Sequence, residues 1–380
     1  MSIDPALPKP SAVPEPVEGH FDKLNDRESK LNDRPGAVGT PPQHYGNPIG
    51  EQRALAAGDA IVDLSDRAVV TVTGPDRLSW LDSLTSQALK GLQPGDSAET
   101  LQLDPNGRVE YAMRVFDDGV TTWLLVDAEE GPKLAAWLDR MRFMLRVEVA
   151  DRTEDFATVG SLGSLELPAA SPNGVPLVWS DPWSEVVAGG HQYATTDEHP
   201  GVEWTYTETL VPRDADLSSF PAAGILALEA LRIAAWRPRL ATEADERTIP
   251  HELDWLRSAV HLSKGCYRGQ ETVAKVHNLG HPPRRLVMLH LDGSDGVLPP
   301  AGSPVLQGDK ELGQVTSSGI HHELGPIALA VIKRGFDPAE QLVVAADDIQ
   351  IAAAQEIIVP TDAGAEANVP RIPRLGKVTR

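Results

Sequence analysis

The stretch "HLSKGCYRGQETVAKVHNLGHPPRRL", residues 261–286, holds Cys266, the only cysteine among the 380 residues of the chain. Lys264 precedes this cysteine by two residues, and Arg268 follows it by two. Nearby cations favour the thiolate, which is the reactive form of a cysteine. The segment "GQETVAKVH" after it predicts a helix, whose N-terminus favours negative charge. The pattern therefore predicts an accessible, reactive thiol.

Two glycines, Gly265 and Gly269, bracket the cysteine and allow tight turns and the close approach of a ligand. A structural interpretation stays open beside the functional one. An isolated cysteine outside an oxidising compartment is often a small buried apolar residue, and charged neighbours are often ordinary surface residues. Accessibility of the Cys266 thiol in the native protein separates the two interpretations.

Downstream of Pro282, short alternating apolar segments such as "RRLVMLHLDG" and "PIALAVIKR" are separated by glycines and turn residues. This alternation of short apolar segments and turn residues predicts a small all-β module over residues 282–360, either a barrel or a sandwich. Upstream, residues 49–281 mix strand and helix signals. In "TLQLDPNGRVEYAMRVF", Asn106-Gly107 is a strong hairpin signal. The fold class expected from these patterns is α+β followed by a small β module.

The two ends of the chain differ from this middle part. Residues 1–48 are rich in proline, glycine and charge and have no sustained apolar period, so they predict a disordered leader. Residues 361–380 end in a basic stretch and predict a flexible tail.

Composition excludes several classes of function. The chain has 34 basic and 55 acidic residues, a net charge of −21 that disfavours direct binding of nucleic acid. No segment approaches the ~18 apolar residues of a membrane helix, so no membrane attachment is expected. A single cysteine cannot form a disulfide framework within the chain. No histidine has a zinc-like spacing with this cysteine, so no metal site is predicted. A cytoplasmic location follows as the default expectation.

The segment "KGCYRGQE" resembles the signature of the YgfZ family, folate-binding proteins related to the T-protein of the glycine cleavage system. "VTVTGPDRLSWLDSLTSQ", "LDPNGRV", "ALRIAAWRPRL" and "IPHELDWL" resemble other elements of that family in the expected order, and "GQVTSS" and "GPIALAVIKR" resemble its barrel. The resemblance covers about residues 50–360. It implies a ring-like folate-binding α+β domain of the T-protein and YgfZ type, over residues 49–281, followed by a small C-terminal β-barrel.

The resemblance also implies a function. Members of the family hold tetrahydrofolate in a central pocket and assist assembly or repair of iron–sulfur proteins, and through them the thiomethylation of some tRNAs. Cys266 would be the functional thiol and a ligand of a transient iron–sulfur cluster shared with assembly or client proteins. The loop around it would consist of Lys264, Gly265, Tyr267, Arg268, Gly269, Gln270 and Glu271.

Three arginines are candidates to clamp the carboxylates of folate, since guanidinium groups pair well with carboxylates. Arg232 matches the arginine of the family's Leu-Arg helix, and Arg108 in the hairpin and Arg284 after the double proline are further candidates.

Two other functions stay open. The T-protein itself is an aminomethyltransferase whose hairpin reads Asn-Gly-Gly-Ile-x-Asp-Asp, but here Tyr111 and Ala112 stand in place of the two aspartates. A carboxylate suited to proton transfer is thus missing from the hairpin, and that activity is not expected. A scaffold that binds proteins and no ligand is the third possibility, and it would leave the signature around Cys266 without a purpose.

Overall fold

The computed structural model describes residues 31–294 and 296–367. These residues form two open five-stranded sheets and one closed barrel, with short helices between them. The α+β organisation followed by a β module is therefore confirmed. The helices outside the barrel are α1 (Pro48–Ala56), α2 (Arg77–Leu84), α3 (Gly131–Met141), α4 (Ile225–Ala234), α5 (Leu240–Glu243) and α6 (Gln270–Leu279).

The first sheet is antiparallel and has the strand order β3-β4-β5-β2-β6. Val70 and Val72 pack beneath α2 and α3, whereas Val69 joins the core on the opposite face, because side chains alternate along a strand. Both faces of the sheet are thus covered. Its strands are β2 (Arg67–Thr73), β3 (Ser97–Leu103), β4 (Val109–Asp117), β5 (Thr121–Asp127) and β6 (Glu148–Asp151).

The second sheet has the order β10-β1-β7-β9-β8, with β1 and β10 parallel. It shares one large core with the first sheet, in which Trp123, Trp179 and Trp183 are all buried. Its strands are β1 (Ile61–Asp63), β7 (Phe156–Leu162), β8 (Val178–Ser180), β9 (Tyr206–Pro212) and β10 (Ala222–Ala223). Short 3-10 turns at Pro182–Ser184, Pro200–Glu203, Pro250–Leu253 and Trp255–Arg257 complete this region.

The C-terminal module is a closed barrel with the strand order β11-β14-β13-β12-β15-β16. Val287, Leu289 and Leu291 of its first strand alternate into the barrel core. Its strands are β11 (Arg284–Leu291), β12 (Pro304–Gln307), β13 (Lys310–His321), β14 (Gly325–Lys333), β15 (Leu342–Ala346) and β16 (Ile349–Ile357). In the part of the chain that the structure describes, no helix is long and apolar enough to cross a membrane.

The prediction of a disordered leader is wrong for residues 31–48, which are ordered. Leu31 is buried, Arg34 donates from Nη1 to the carbonyl oxygen of Phe220 at 2.6 Å, and the Tyr45 hydroxyl donates to Leu31 O at 3.2 Å. These long-range contacts fasten the segment to the second sheet, which a search for local apolar periodicity cannot detect. Residues 1–30, the rest of the predicted leader, lie outside the described residues.

The start of the predicted flexible tail is also ordered. The backbone N–H of Glu366 donates to His277 O at 2.9 Å, and that of Ala367 donates to Asn278 O at 3.2 Å. Both carbonyls belong to the last turn of α6, which needs partners for its unpaired oxygens. The remainder of the predicted tail, residues 368–380, lies outside the described residues.

The predicted hairpin is confirmed as β3–β4, and its turn contacts the start of α6. Gly107 in the turn has φ +79°, and Gly269, just before α6, has φ +84°. A Cβ on Gly269 would lie 2.7 Å from Asp104 O and 3.0 Å from the Cα of Gly107, whereas one on Gly107 would lie 2.7 Å from the Cβ of Thr272. The two glycines therefore let the hairpin and the helix start touch.

Replacing Gly269 with alanine should lower the free energy of unfolding by about 2–4 kcal/mol, because the new Cβ adds backbone strain and steric overlap. Urea denaturation measures the loss. Gly265→Ala is the matched control, since no atom lies within 4 Å of its added Cβ and its φ is not positive. Equal stability of the two variants would contradict the proposed contact between hairpin and helix.

Candidate functional site

The loop that precedes α6 exposes Cys266 and buries the next side chain, Tyr267. Burial raises the pKa of the Tyr267 hydroxyl. Gln270 closes the loop by donating from its side-chain amide to Lys264 O at 3.3 Å, and its backbone N–H donates to Tyr267 O at 3.3 Å. Glu271 lies in the first turn of α6, where a carboxylate is favourable. The thiol is thus exposed on a loop with defined internal contacts.

Lys264 has a different role from the one that its position in the sequence predicts. Its ammonium group donates to Asp82 O at 2.5 Å, Thr85 O at 2.8 Å and Gln87 O at 2.7 Å, and its side chain is 4% exposed. An ammonium group has three donors, so these carbonyls at the end of α2 use all of them. Burial lowers the pKa of Lys264, while Asp82 opposes that shift. Lys264 therefore anchors the loop to α2, and it has no hydrogen-bond donor left for the thiol.

Arg268 is half exposed and faces the hairpin. Its Nη1 lies 3.5 Å from Glu110 Oε2, and the same carboxylate oxygen accepts a hydrogen bond from Gln102 at 2.8 Å. Glu110 belongs to β4, on the same strand face as Ala112 and two residues away from it. The loop around Cys266 is thus next to the strand that forms one wall of the central cavity.

The central cavity, of about 40 Å³, lies among β2, β4, β5, β9 and the end of α4. That volume is room for only a few water molecules. Charged side chains dominate the lining, together with Ala112, Trp204, Tyr206 and Trp255. The charged residues of the lining are Arg67, Arg114, Arg232, Arg237, Arg239, Glu99, Asp127, Glu130, Asp181, Glu208 and Glu229.

Arg232 lines this cavity, but its donors are already used. Nε and Nη2 donate to Glu229 at 3.1 and 2.9 Å, and Nη2 also donates to Ser317 Oγ at 2.7 Å. Nη1 donates to Glu243 at 2.9 Å and to Arg237 O at 2.7 Å. Burial opposes the charge of Arg232, but Glu229 and Glu243 more than offset it and raise its pKa. The prediction of a free clamp for a folate carboxylate is corrected: Arg232 links α4 to the barrel.

The two other predicted clamps lie outside the cavity lining. Arg284 pairs with Glu252 at 2.7 Å and with Asp245 at 2.6 Å, and the pKa of Asp245 is lowered chiefly by its hydrogen bond to Arg284. Arg108 is exposed in the hairpin turn. The structure does not bring Arg108, Arg232 and Arg284 together as one carboxylate clamp.

Other polar atoms in the cavity lining have no partner in the structure. Glu208 is fully buried, and its Oε1 accepts from the Tyr206 hydroxyl at 3.0 Å and forms an ion pair with Arg114 Nε at 3.0 Å, but its Oε2 is unpaired. Arg67 Nε and Arg239 Nε are likewise unpaired. A buried polar group without a partner is costly, so these atoms favour a polar ligand or ordered water. The sequence analysis missed these residues, although a charged residue inside an apolar strand is a usable signal.

Elements other than β4 supply carboxylates to the cavity lining, although β4, the second strand of the hairpin, has none there. Tyr111 packs with the core beneath the helices, and Ala112 faces the cavity. Asp127, at the end of β5, and Glu130, directly before α3, share that lining. Burial and the charge of Asp127 raise the pKa of Glu130 to about 7. The cavity therefore contains a carboxyl group that changes protonation near neutral pH.

Within residues 31–294 and 296–367, no group of three or more His, Cys, Asp or Glu side chains is arranged to hold a metal ion. Cys266, the single cysteine of the chain, is a free thiol exposed at the surface.

Comparison with known proteins identifies the fold. Residues 284–357 match the family described as the glycine cleavage T-protein C-terminal barrel domain. The solved aminomethyltransferase T of the glycine cleavage system from Bartonella henselae superimposes with a TM-score of 0.67 at 16% identity, over 87% of this chain and 96% of that one. The chain therefore has the T-protein fold with its C-terminal barrel.

Sequence relatives carry three kinds of name. An aminomethyltransferase of Rippkaea orientalis is 27% identical over 83% of this chain and 89% of its own length. A mitochondrial iron–sulfur cluster assembly factor IBA57 homolog of Mycosarcoma maydis is 26% identical over 59% of this chain and 55% of its own length. A putative chloroplastic transferase of Arabidopsis thaliana is 26% identical over 78% and 70%. These relatives support a connection to the T-proteins and leave the two activities undecided.

Replacing Lys264 with methionine should lower the free energy of unfolding by about 1–3 kcal/mol, because three carbonyls at the end of α2 lose a charged donor. Chemical denaturation measures this loss, with Arg268→Met as the control that removes a half-exposed cation. Under native conditions, iodoacetamide should alkylate Cys266 in the Lys264 variant at close to the wild-type rate. Unchanged stability together with much slower alkylation would show that Lys264 acts by favouring the Cys266 thiolate and not by anchoring the loop.

Proposed function

We propose that this chain binds a reduced folate and assists the assembly or repair of iron–sulfur clusters through Cys266. The exposure of Cys266 in a loop anchored by Lys264 and Gly269 is the observation that carries the proposal. A cysteine with a purely structural role is expected to be buried among apolar side chains, and not exposed on an anchored loop. The signature "KGCYRGQE" and the similarity to the iron–sulfur assembly factor homolog point the same way.

The thiol would act together with a partner. Iron–sulfur clusters are held mostly by four cysteine thiolates, and this chain has one cysteine. Cys266 therefore serves as one transient ligand while an assembly or client protein supplies the others. Client enzymes that thiomethylate tRNA would connect this protein to tRNA modification without direct binding of nucleic acid, consistent with the net charge of −21. A cytoplasmic location is part of the same proposal.

The unpaired atoms of the cavity support folate as the ligand. A pterin ring carries an amino group beside a ring N–H, and this pair of donors suits the free oxygen of Glu208. Its ring carbonyl suits the free N–H of Arg67 or Arg239. Since the cavity holds only a few water molecules, entry of the ring requires side chains to move. Arg239, 25% exposed, is the side chain best able to move.

Aminomethyl transfer is the second candidate. It is favoured by the relatives named aminomethyltransferase and by Asp127 and Glu130 in the cavity lining. Ala112 weighs against it, because the pocket-facing position of the hairpin strand then carries no carboxylate. Glu130 could handle a proton, but it lies on a different element, at the start of α3. Folate binding is common to both candidates, and the use of Cys266 distinguishes them.

Tetrahydrofolate should bind the wild-type protein, and Glu208→Gln should weaken binding by about tenfold or more, because a charge-assisted hydrogen bond is lost. Isothermal titration calorimetry under anaerobic conditions measures both affinities, and thermal melting verifies that the variant is folded. Arg108→Ala, outside the cavity, is the control and should bind like the wild type. If millimolar tetrahydrofolate gives no heat of binding and no shift of the melting temperature, the folate proposal is wrong.

Cys266→Ala and Cys266→Ser should both fold normally, since the side chain is exposed, yet neither should restore a four-iron enzyme in cells lacking the gene. The activity of that enzyme per cell is the measurement, with Val202→Ser, at an exposed position outside the loop, as the control. Serine keeps the size and weak hydrogen bonding of cysteine but is a poor ligand for iron. Full restoration by both variants would show that the thiol is not used.

A further inference from the structure

The turn between α3 and β6 exposes three consecutive large apolar side chains. Phe143 is 80% exposed, Met144 97% and Leu145 41%, and we call these residues the apolar tip. Phe143 also has φ +45°, a left-handed conformation that is unfavourable for a non-glycine residue. Folding alone gains nothing from exposing these side chains. A contiguous exposed apolar group of this kind is typical of a binding surface.

The apolar tip is held firmly against the start of α2. The next residue, Arg146, makes three hydrogen bonds to the carboxylate of Asp76, at 3.0 Å from its backbone N, 3.0 Å from Nε and 2.7 Å from Nη2. Gly74 permits this contact, because a Cβ there would lie 2.1 Å from Arg146 O. The tip therefore has a fixed place relative to the first turn of α2.

The opposite end of the same helix holds the loop of Cys266. Lys264 binds the carbonyls of Asp82, Thr85 and Gln87, as described above. Helix α2 has eight residues and is therefore about 12 Å long. The apolar tip and the loop of the thiol are thus attached to the two ends of one short helix. A protein interface of ordinary size, about 800 Å² on each side, spans more than the length of this helix.

We propose that the apolar tip anchors the partner protein whose cysteines share a cluster with Cys266. This inference rests on the proposed function and names the partner's chemistry: an apolar pocket beside exposed cysteine ligands. Aromatic, methionine and arginine side chains are enriched in protein interfaces, and Arg142 and Arg146 flank the tip. Both arginines are already paired, with Asp139 and Asp76, so the rim carries little free charge.

Other occupants fit less well. Three side chains cover much less than the ~800 Å² per partner of a stable interface, so the tip fits the centre of a larger interface and not a dimer formed by the tip alone. Attachment to an anionic membrane is opposed by the net charge of −21 and by the pairing of the flanking arginines. A cysteine-bearing protein partner remains the occupant that uses both the tip and the thiol.

The test uses cells that lack the gene and express the full chain from a tunable promoter. The activity of a four-iron enzyme is measured against the amount of this protein. A double variant, Phe143→Ser with Met144→Ser, should need about tenfold more protein for half-maximal activity but reach the wild-type maximum, because only docking is weakened. Met144→Lys, a single exposed change, should behave similarly. Val202→Ser, at an exposed valine elsewhere, is the control and should match the wild type.

Cys266→Ala should restore no activity at any level of expression, which separates loss of the thiol from loss of docking. If the tip variants match the wild type at every level while Cys266→Ala fails, the inference is wrong and the proposed function stands. If Cys266→Ala also succeeds, the proposed function fails. Tip-dependent binding to phosphatidylglycerol vesicles, or a tip-dependent dimer in analytical ultracentrifugation, would instead assign the tip to a membrane or to a second copy and overturn the inference.

Discussion

Buried pairing of two arginines with carboxylates is the constraint on which the rest of this structure depends. Arg237 donates to Glu99 of the first sheet at 2.8 Å and to Asp181, beside the second sheet, at 2.9 Å. Arg232 reaches Ser317 of the barrel, and its partner Glu243 accepts from Thr316 and Ser317. Two side chains at the end of α4 therefore connect all three β units. Removing one partner of such a buried pair typically costs about 3–5 kcal/mol, because the other charge is left uncompensated.

This constraint also shapes the functional part of the molecule. The charges that connect the units line the central cavity, where buried atoms of Glu208, Arg67 and Arg239 are left without partners. Strand β4 runs from that cavity to the loop of the thiol, since Ala112 and Arg114 face the cavity while Glu110 meets Arg268. A ligand that moves side chains in the cavity would therefore act on a strand in contact with the loop. The fold thus connects a polar cavity and an exposed thiol through one strand without making them one site.

The sequence predicted local features better than long-range ones. The hairpin at Asn106-Gly107 and the C-terminal β module follow from turn residues and alternation, and both are present. The exposure of Cys266 also agrees with the pattern around it. The hydrogen-bond partners of Lys264 and Arg232 could not be predicted, because they lie far away in the chain: the carbonyls that Lys264 binds are about 180 residues distant, and Ser317 is 85 residues from Arg232. The unpaired atom of Glu208 could not be predicted, since it depends on packing among several strands.

The T-protein fold serves here, in our account, in cluster assembly and not in glycine cleavage. The most direct test is deletion of the gene in the source organism, with two activities measured in the same cells. Our account predicts that an enzyme carrying a four-iron cluster loses most of its activity, while the rate of glycine cleavage, measured as release of labelled carbon dioxide, stays at the parental level. Loss of glycine cleavage with unchanged activity of the four-iron enzyme would contradict it.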